Sequence, residues 1–112
     1  MEPDITIDQD VVSIRLAVRF DATNAPEVES RLKTIIADKT PKVLIFDFSQ
    51  TVYIASAGLR VLLVISRMIL KSGGKVALCS LSPKVMEVFT VAGFTKIFTI
   101  YPTKDDAISS LR

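Results

Sequence analysis

The chain has 112 residues and a mass of 12.3 kDa, the size of one small domain. Apolar residues make up 49% and charged residues 23%, a balance that excludes a disordered chain. Histidine is absent and cysteine occurs once, at Cys79, which excludes a His-dependent triad, an imidazole base, an internal disulfide and a cysteine-cluster zinc site.

A folded monomer of this mass exposes roughly 6,100 Å², against roughly 17,800 Å² unfolded, enough burial for one core. The 14 basic and 12 acidic residues leave a net charge of +2 and are scattered along the chain. Nothing resembles a stripe that tracks a phosphate backbone, so no direct nucleic-acid contact is expected. The longest uncharged stretch, Phe48 to Leu59, holds twelve residues, too few to span a bilayer. The start, Met1-Glu2-Pro3-Asp4, is acidic and lacks the basic-then-apolar order of a signal peptide. With the lone thiol, this gives the expectation of a cytoplasmic protein with no membrane insertion. No repeat, low-complexity segment or Pro/Gly-rich linker divides the chain. One domain over residues 1–112 is expected.

Taken in order, Ile5, Ile7 and then Val11 to Val18 predict two strands joined by a turn at Asp8-Gln9-Asp10. Ile14, Leu16 and Val18 alternate with Ser13, Arg15 and Ala17, the period of a half-buried strand. Asn24 predicts a helix N-cap, with Pro26 in the first turn and Glu27 three residues after the cap. Val28, Leu32, Ile35 and Ile36 form its apolar stripe, leaving Glu29, Arg31 and Lys33 to solvent. Val43-Leu44-Ile45-Phe46 is a continuous apolar run, as in a central strand covered on both faces.

Ser56 to Ser72 predicts a second helix, closed by Gly73-Gly74 and apolar around most of its circumference. Such a helix is buried on most sides, or is partly exposed as a binding face that could pair two copies. Val76 to Leu81 predicts another strand. Ser82-Pro83 then starts a third helix, which Gly93 stops. Ile97 to Tyr101 predicts a last strand, and Pro102 to Leu111 a short terminal helix started by Thr103, with Asp105 and Asp106 in its first turn. The order implies an α/β domain: a mostly parallel sheet of four to five strands with one antiparallel strand, flanked by about four helices.

In open α/β folds, partners gather at the C-terminal ends of the strands. Three segments reach that edge: Asp21 to Asn24, Thr51 to Gly58, and Ser80 to Pro83. Ser56 stands out, because there an apolar loop turns into a helix. Its hydroxyl would cap that helix. A helix start also tolerates a phosphate, so a phosphoserine could sit there without unfolding the domain. A nucleophilic serine is disfavoured: Ala55-Ser56-Ala57-Gly58 lacks the glycine of a nucleophile elbow. Neither GxxxxGK[ST] nor GxGxxG occurs, and no cofactor is expected.

Asp47-Phe48-Ser49 followed by Tyr53-Ile54-Ala55-Ser56-Ala57-Gly58-Leu59 resembles the signature of STAS domains (sulfate transporter and anti-sigma factor antagonist). That signature runs Asp-Leu-Ser, a short gap, a hydrophobic residue, Asp-Ser, a small residue and Gly-Leu-Gly. Phe20-Asp21, Gly73-Gly74-Lys75-Val76, Leu78 to Pro83, and Val88 to Phe98 resemble further family segments in the same order.

The resemblance implies a non-enzymatic anti-sigma factor antagonist. Unphosphorylated, such a protein binds an anti-sigma factor that is also a serine kinase, and a sigma factor is released. The kinase then phosphorylates the signature serine and the complex breaks; a serine phosphatase resets it. Ser56 matches the phosphoacceptor and Asp21 the loop acid beside it. The implied partner surface comprises Asp21, Thr23, Asn24, Ala55, Ser56, Ala57, Gly58, Leu59 and Arg60. Two positions depart from the family pattern: Ala55 stands where Asp is usual, and Arg60 where Gly is usual. Arg60 reads equally as a partner contact or as a solvated charge. STAS proteins also serve as non-phosphorylated subunits of signalling scaffolds or lipid-transport ATPase complexes, the alternative reading that Ala55 favours.

Overall fold

The computed structural model describes residues 4–111; the first three residues of the acidic start lie outside it. Strands β1 (Asp4–Asp8) and β2 (Val11–Arg15) form a hairpin whose turn holds Gln9 at φ 57°. The two-residue β3 (Arg19–Phe20) leads to α1 (Ala25–Lys39) and β4 (Val43–Asp47). A second short strand, β5 (Tyr53–Ile54), runs directly into α2 (Ser56–Lys71). Then come β6 (Lys75–Cys79), α3 (Pro83–Val91), a 3-10 turn at Phe94–Lys96, β7 (Thr99–Tyr101) and α4 (Lys104–Leu111).

The main sheet has the order β1-β2-β4-β6-β7. Only β1–β2 is antiparallel; β2–β4, β4–β6 and β6–β7 are parallel. This is the mixed sheet with one antiparallel strand and four helices that the alternation of elements predicts.

Its two faces are unequal. Val12, Ile14, Leu16, Leu44, Phe46 and Leu78 meet the apolar stripes of α1, α2 and α3. Val11, Val43, Ile45, Ala77 and Cys79 meet α4 through Ala107. The apolar run at β4 is therefore covered on both sides, as its composition requires. Beneath α3, Phe89 packs edge-on against Phe48 at 5.6 Å and Phe94 at 5.9 Å between ring centroids.

Several boundaries differ from expectation. The strand expected from Val11 to Val18 ends at Arg15, and Val18 is half exposed. Beyond that point the chain leaves the sheet, and Thr51 and Gln50 take over the carbonyls of Leu16 and Ala17. Buried Ser13 also breaks the half-buried alternation, because α4 covers the second face. The strand expected at Val76 to Leu81 is Lys75–Cys79, and α2 stops at Lys71. The strand expected at Ile97 to Tyr101 starts only at Thr99, after the 3-10 turn.

Glu29 is not solvent-facing: its side chain is 16% exposed, between Lys33 and Arg60. Asn24 occupies the N-cap of α1 without a side-chain cap bond. Its carboxamide turns backward, accepting from the Asp21 N–H at 3.0 Å and donating to the Arg19 carbonyl at 2.7 Å. By contrast, Ser82 Oγ accepts from Val85 N and Thr103 Oγ1 from Asp106 N, so α3 and α4 start as the sequence predicts.

Candidate functional site

Two loops converge because β3 and β5 pair in parallel, Arg19 opposite Tyr53 and Phe20 opposite Ile54. The pairing continues one step further, where the Ala55 N–H donates to the Phe20 carbonyl at 3.0 Å. Asp21 and Ser56 are the next residues on each side, so the loop acid and the signature serine share one edge.

The start of α2 lies one residue earlier than its serine suggests. Ala55 is the N-cap, with extended backbone at φ −103° and ψ 172°, and Ser56 is the first helical residue. The Ala55 carbonyl accepts from the Gly58 and Leu59 N–H groups at 3.0 and 3.1 Å. No side chain caps the helix. The hydroxyl of Ser56 makes no hydrogen bond among the described residues, and Ser56 is exposed. It is thus not spent on the capping role expected of it.

Gly58 is what lets the loops close up. A Cβ there would lie 2.8 Å from Phe20 Cδ2, 2.9 Å from the Phe20 carbonyl oxygen and 3.1 Å from Ile54 Cγ1. Ala57 and Leu59 are half-buried and pack against the core, whereas Arg60 is exposed.

Across the edge, the Asp21 Oδ1 accepts from the Thr23 hydroxyl at 2.6 Å and the Thr23 N–H at 3.0 Å. Those two bonds, with the Arg19 charge 3.8 Å away, hold its carboxyl below the ordinary range. Asp21 is therefore ionised at neutral pH, on the loop that follows the strand paired with the one leading into Ser56. In the Asp47-Phe48-Ser49 segment, Asp47 Oδ1 accepts from Ser49 N at 2.8 Å, and Phe48 is buried.

Of the three segments expected to meet, Asp21–Asn24 and Thr51–Gly58 do. Ser80 is tied instead to the β7–α4 connection, through Tyr101 and Pro102. Three features of this edge have no local signal in the sequence. Arg19 lies over the Tyr53 ring at 4.3 Å. Glu29 accepts from Arg60 Nη1 at 3.0 Å and pairs with Lys33 at 2.8 Å. Val52, Tyr53, Val88 and Val91 expose an apolar groove between β5 and α3. Arg60 and Glu29 are 31 residues apart, and only the packing of α1 on α2 joins them.

Cys79 lies behind the sheet against α4. Burial, then the Asp47 charge, pushes its thiol up to about 11, so it stays protonated and unreactive at neutral pH. Among the described residues, no group of His, Cys, Asp and Glu could hold a metal ion, and no helix is long and apolar enough to cross a membrane.

The fold has counterparts among known proteins. The STAS domain family matches residues 2–107, and the chain belongs to that family. A Bordetella bronchiseptica protein provisionally named anti-sigma factor antagonist BtrV is 33% identical over 92 residues, which cover 82% of this chain and 78% of that protein. The crystal structure of a Thermotoga maritima protein, also provisionally named an anti-sigma factor antagonist, superposes with a TM-score of 0.89 at 26% identity, covering 98% of this chain and 94% of that one. The crystal structure of an anti-sigma factor antagonist from Mycobacterium paratuberculosis gives a TM-score of 0.87 at 25% identity, covering 98% of this chain and 92% of that one.

Proposed function

We propose that the chain is an anti-sigma factor antagonist controlled at Ser56. Its unphosphorylated form binds an anti-sigma factor serine kinase, and a sigma factor is released. The kinase phosphorylates Ser56 and thereby dissociates the complex; a serine phosphatase restores the binding form. The chain catalyses nothing in this cycle. It is a substrate and a competitive binder.

The observation that carries the reading is the unbonded, exposed Ser56 hydroxyl at the first position of α2. A kinase can reach it without breaking a cap. The names of the relatives support the partner class. The physics of the switch is local. Phosphate adds about −1.5 to −2 charges on an edge that already holds ionised Asp21. A partner packed closely on that edge would have to bury the added charge. A penalty of roughly 3 kcal/mol weakens binding about a hundredfold.

Calorimetry with an anti-sigma factor kinase from the same genome tests the reading. Ser56→Ala is expected to bind like the parent and to resist dissociation by the kinase with ATP. Ser56→Asp is expected to lose binding by about a hundredfold. Parent-like affinity in Ser56→Asp would overturn the switch and favour a non-phosphorylated STAS subunit.

A further inference from the structure

Ser56 and Arg60 are one turn apart on α2, the i and i+4 positions that share a helix face, with Cβ atoms about 5–6 Å apart. An anion N-terminal to a cation at this spacing is the favourable orientation, because it also agrees with the helix dipole. Arg60 is 67% exposed and is held from one side only, by the Glu29 carboxylate at 3.0 Å. That carboxylate has a second cation of its own, Lys33 at 2.8 Å. Glu29 therefore keeps a partner if Arg60 turns away, whereas nothing else among the described residues engages the Arg60 guanidinium.

We infer that Arg60 is a built-in counter-ion for phosphate on Ser56, parked on Glu29 until the serine is modified. The inference rests on the reading of Ser56 as a phosphoacceptor and concerns the rearrangement that the phosphate would cause. A guanidinium fork meets a phosphate bidentately, and a phosphate carries more charge than a carboxylate. The exchange is therefore downhill at neutral pH, and Lys33 retains Glu29. Modification would then change two features of the partner surface together: the serine gains charge, and the arginine is withdrawn from the α1–α2 seam. A partner that uses Arg60 as a contact loses it in the same event.

The charged and titratable groups around this turn are Arg60 on α2, Glu29 and Lys33 on α1, Arg19 and Asp21 at β3 and its loop, and Tyr53 on β5. Lys84 and Glu87 of α3 lie beyond Tyr53, across the apolar groove. Arg19 lies 3.8 Å from Asp21 and over the Tyr53 ring. Arg60, one turn from Ser56 on the same helix and replaceable at Glu29 by Lys33, is the cation that the phosphate would recruit.

The test uses the full chain with phosphoserine encoded genetically at position 56, so it does not depend on whether cells phosphorylate the site. The phosphate's second ionisation, near pH 6 when unperturbed, is followed by phosphorus NMR at low salt. Arg60→Gln is expected to raise that midpoint by about 0.3–0.7 units, the size of an exposed ion pair. Arg60→Lys should recover part of the shift. Glu29→Gln should lower the midpoint below the parent's, since it frees Arg60 and removes a nearby anion. Equal midpoints in the parent and Arg60→Gln would overturn the inference. So would an Arg60 side-chain signal that keeps its Glu29-bound position in the phosphorylated chain. Absence of Ser56 phosphate in cells would overturn the phosphoacceptor reading itself, which is a separate result.

Discussion

The Ala55 backbone N–H donates to the Phe20 carbonyl at 3.0 Å, and the Gly58 α-carbon faces the same carbonyl too closely to carry a side chain. One oxygen thus fixes where α2 starts and how near the Asp21 loop lies to it. The serine edge is a tertiary construction and does not come from helix propensity alone.

Gly58→Ala tests that construction. Alanine favours a helix by about 1 kcal/mol over glycine. Its Cβ, however, would lie 2.9 Å from a backbone oxygen that cannot rotate away, and overpacking costs about 1–3 kcal/mol. The clash is expected to win, with a net loss of up to about 2 kcal/mol in urea unfolding. Faster amide exchange at Ala55 should accompany it. Parent stability with an unchanged Ala55 amide would show that the two loops are not held by this approach.

Ala55→Asp should do the opposite. The N-cap backbone is already extended and no side chain caps α2. A carboxylate there can accept from the Ala57 N–H, the second of the helix. It should stabilise the fold by about 0.5–2 kcal/mol, read as a raised thermal midpoint. No gain would mean that the Ala57 N–H is already satisfied.

The acid limb of the stability curve should depend on Glu29. Hydrogen bonds from Lys33 first, then Arg60, hold its carboxyl below the ordinary range. Its contribution is therefore present above the unfolded pKa of about 4.3 and is lost as pH falls through the lower folded value. Glu29→Gln is expected to lower the denaturant midpoint at pH 7 and to approach the parent below about pH 4. A difference that stays constant down to about pH 3 would contradict this sign.

Much of this architecture is legible in the sequence. Four helices and the main strands announce themselves through apolar spacing, Ser82-Pro83, Thr103 and Gly93. What is hidden is short or long-range. β3 and β5 have two residues each, too few to display a period, yet their pairing assembles the site and stacks Arg19 on Tyr53. Local preference puts the cap at Ser56, whereas the Phe20 carbonyl and the Gly58 contact set it at Ala55. The Glu29–Arg60 bond joins residues 31 apart, beyond the reach of any local pattern.

The central claim is that Ser56 carries the switch. The most direct test is the intact mass of the protein purified from its own cells, followed by peptide mapping of any phosphate. A fraction of the protein carrying one phosphate at Ser56, with a share that changes between growth and stress, is the expected result. An unmodified Ser56 under growth, stress and starvation alike would contradict it and leave the serine as the first residue of a helix in an unswitched binding subunit.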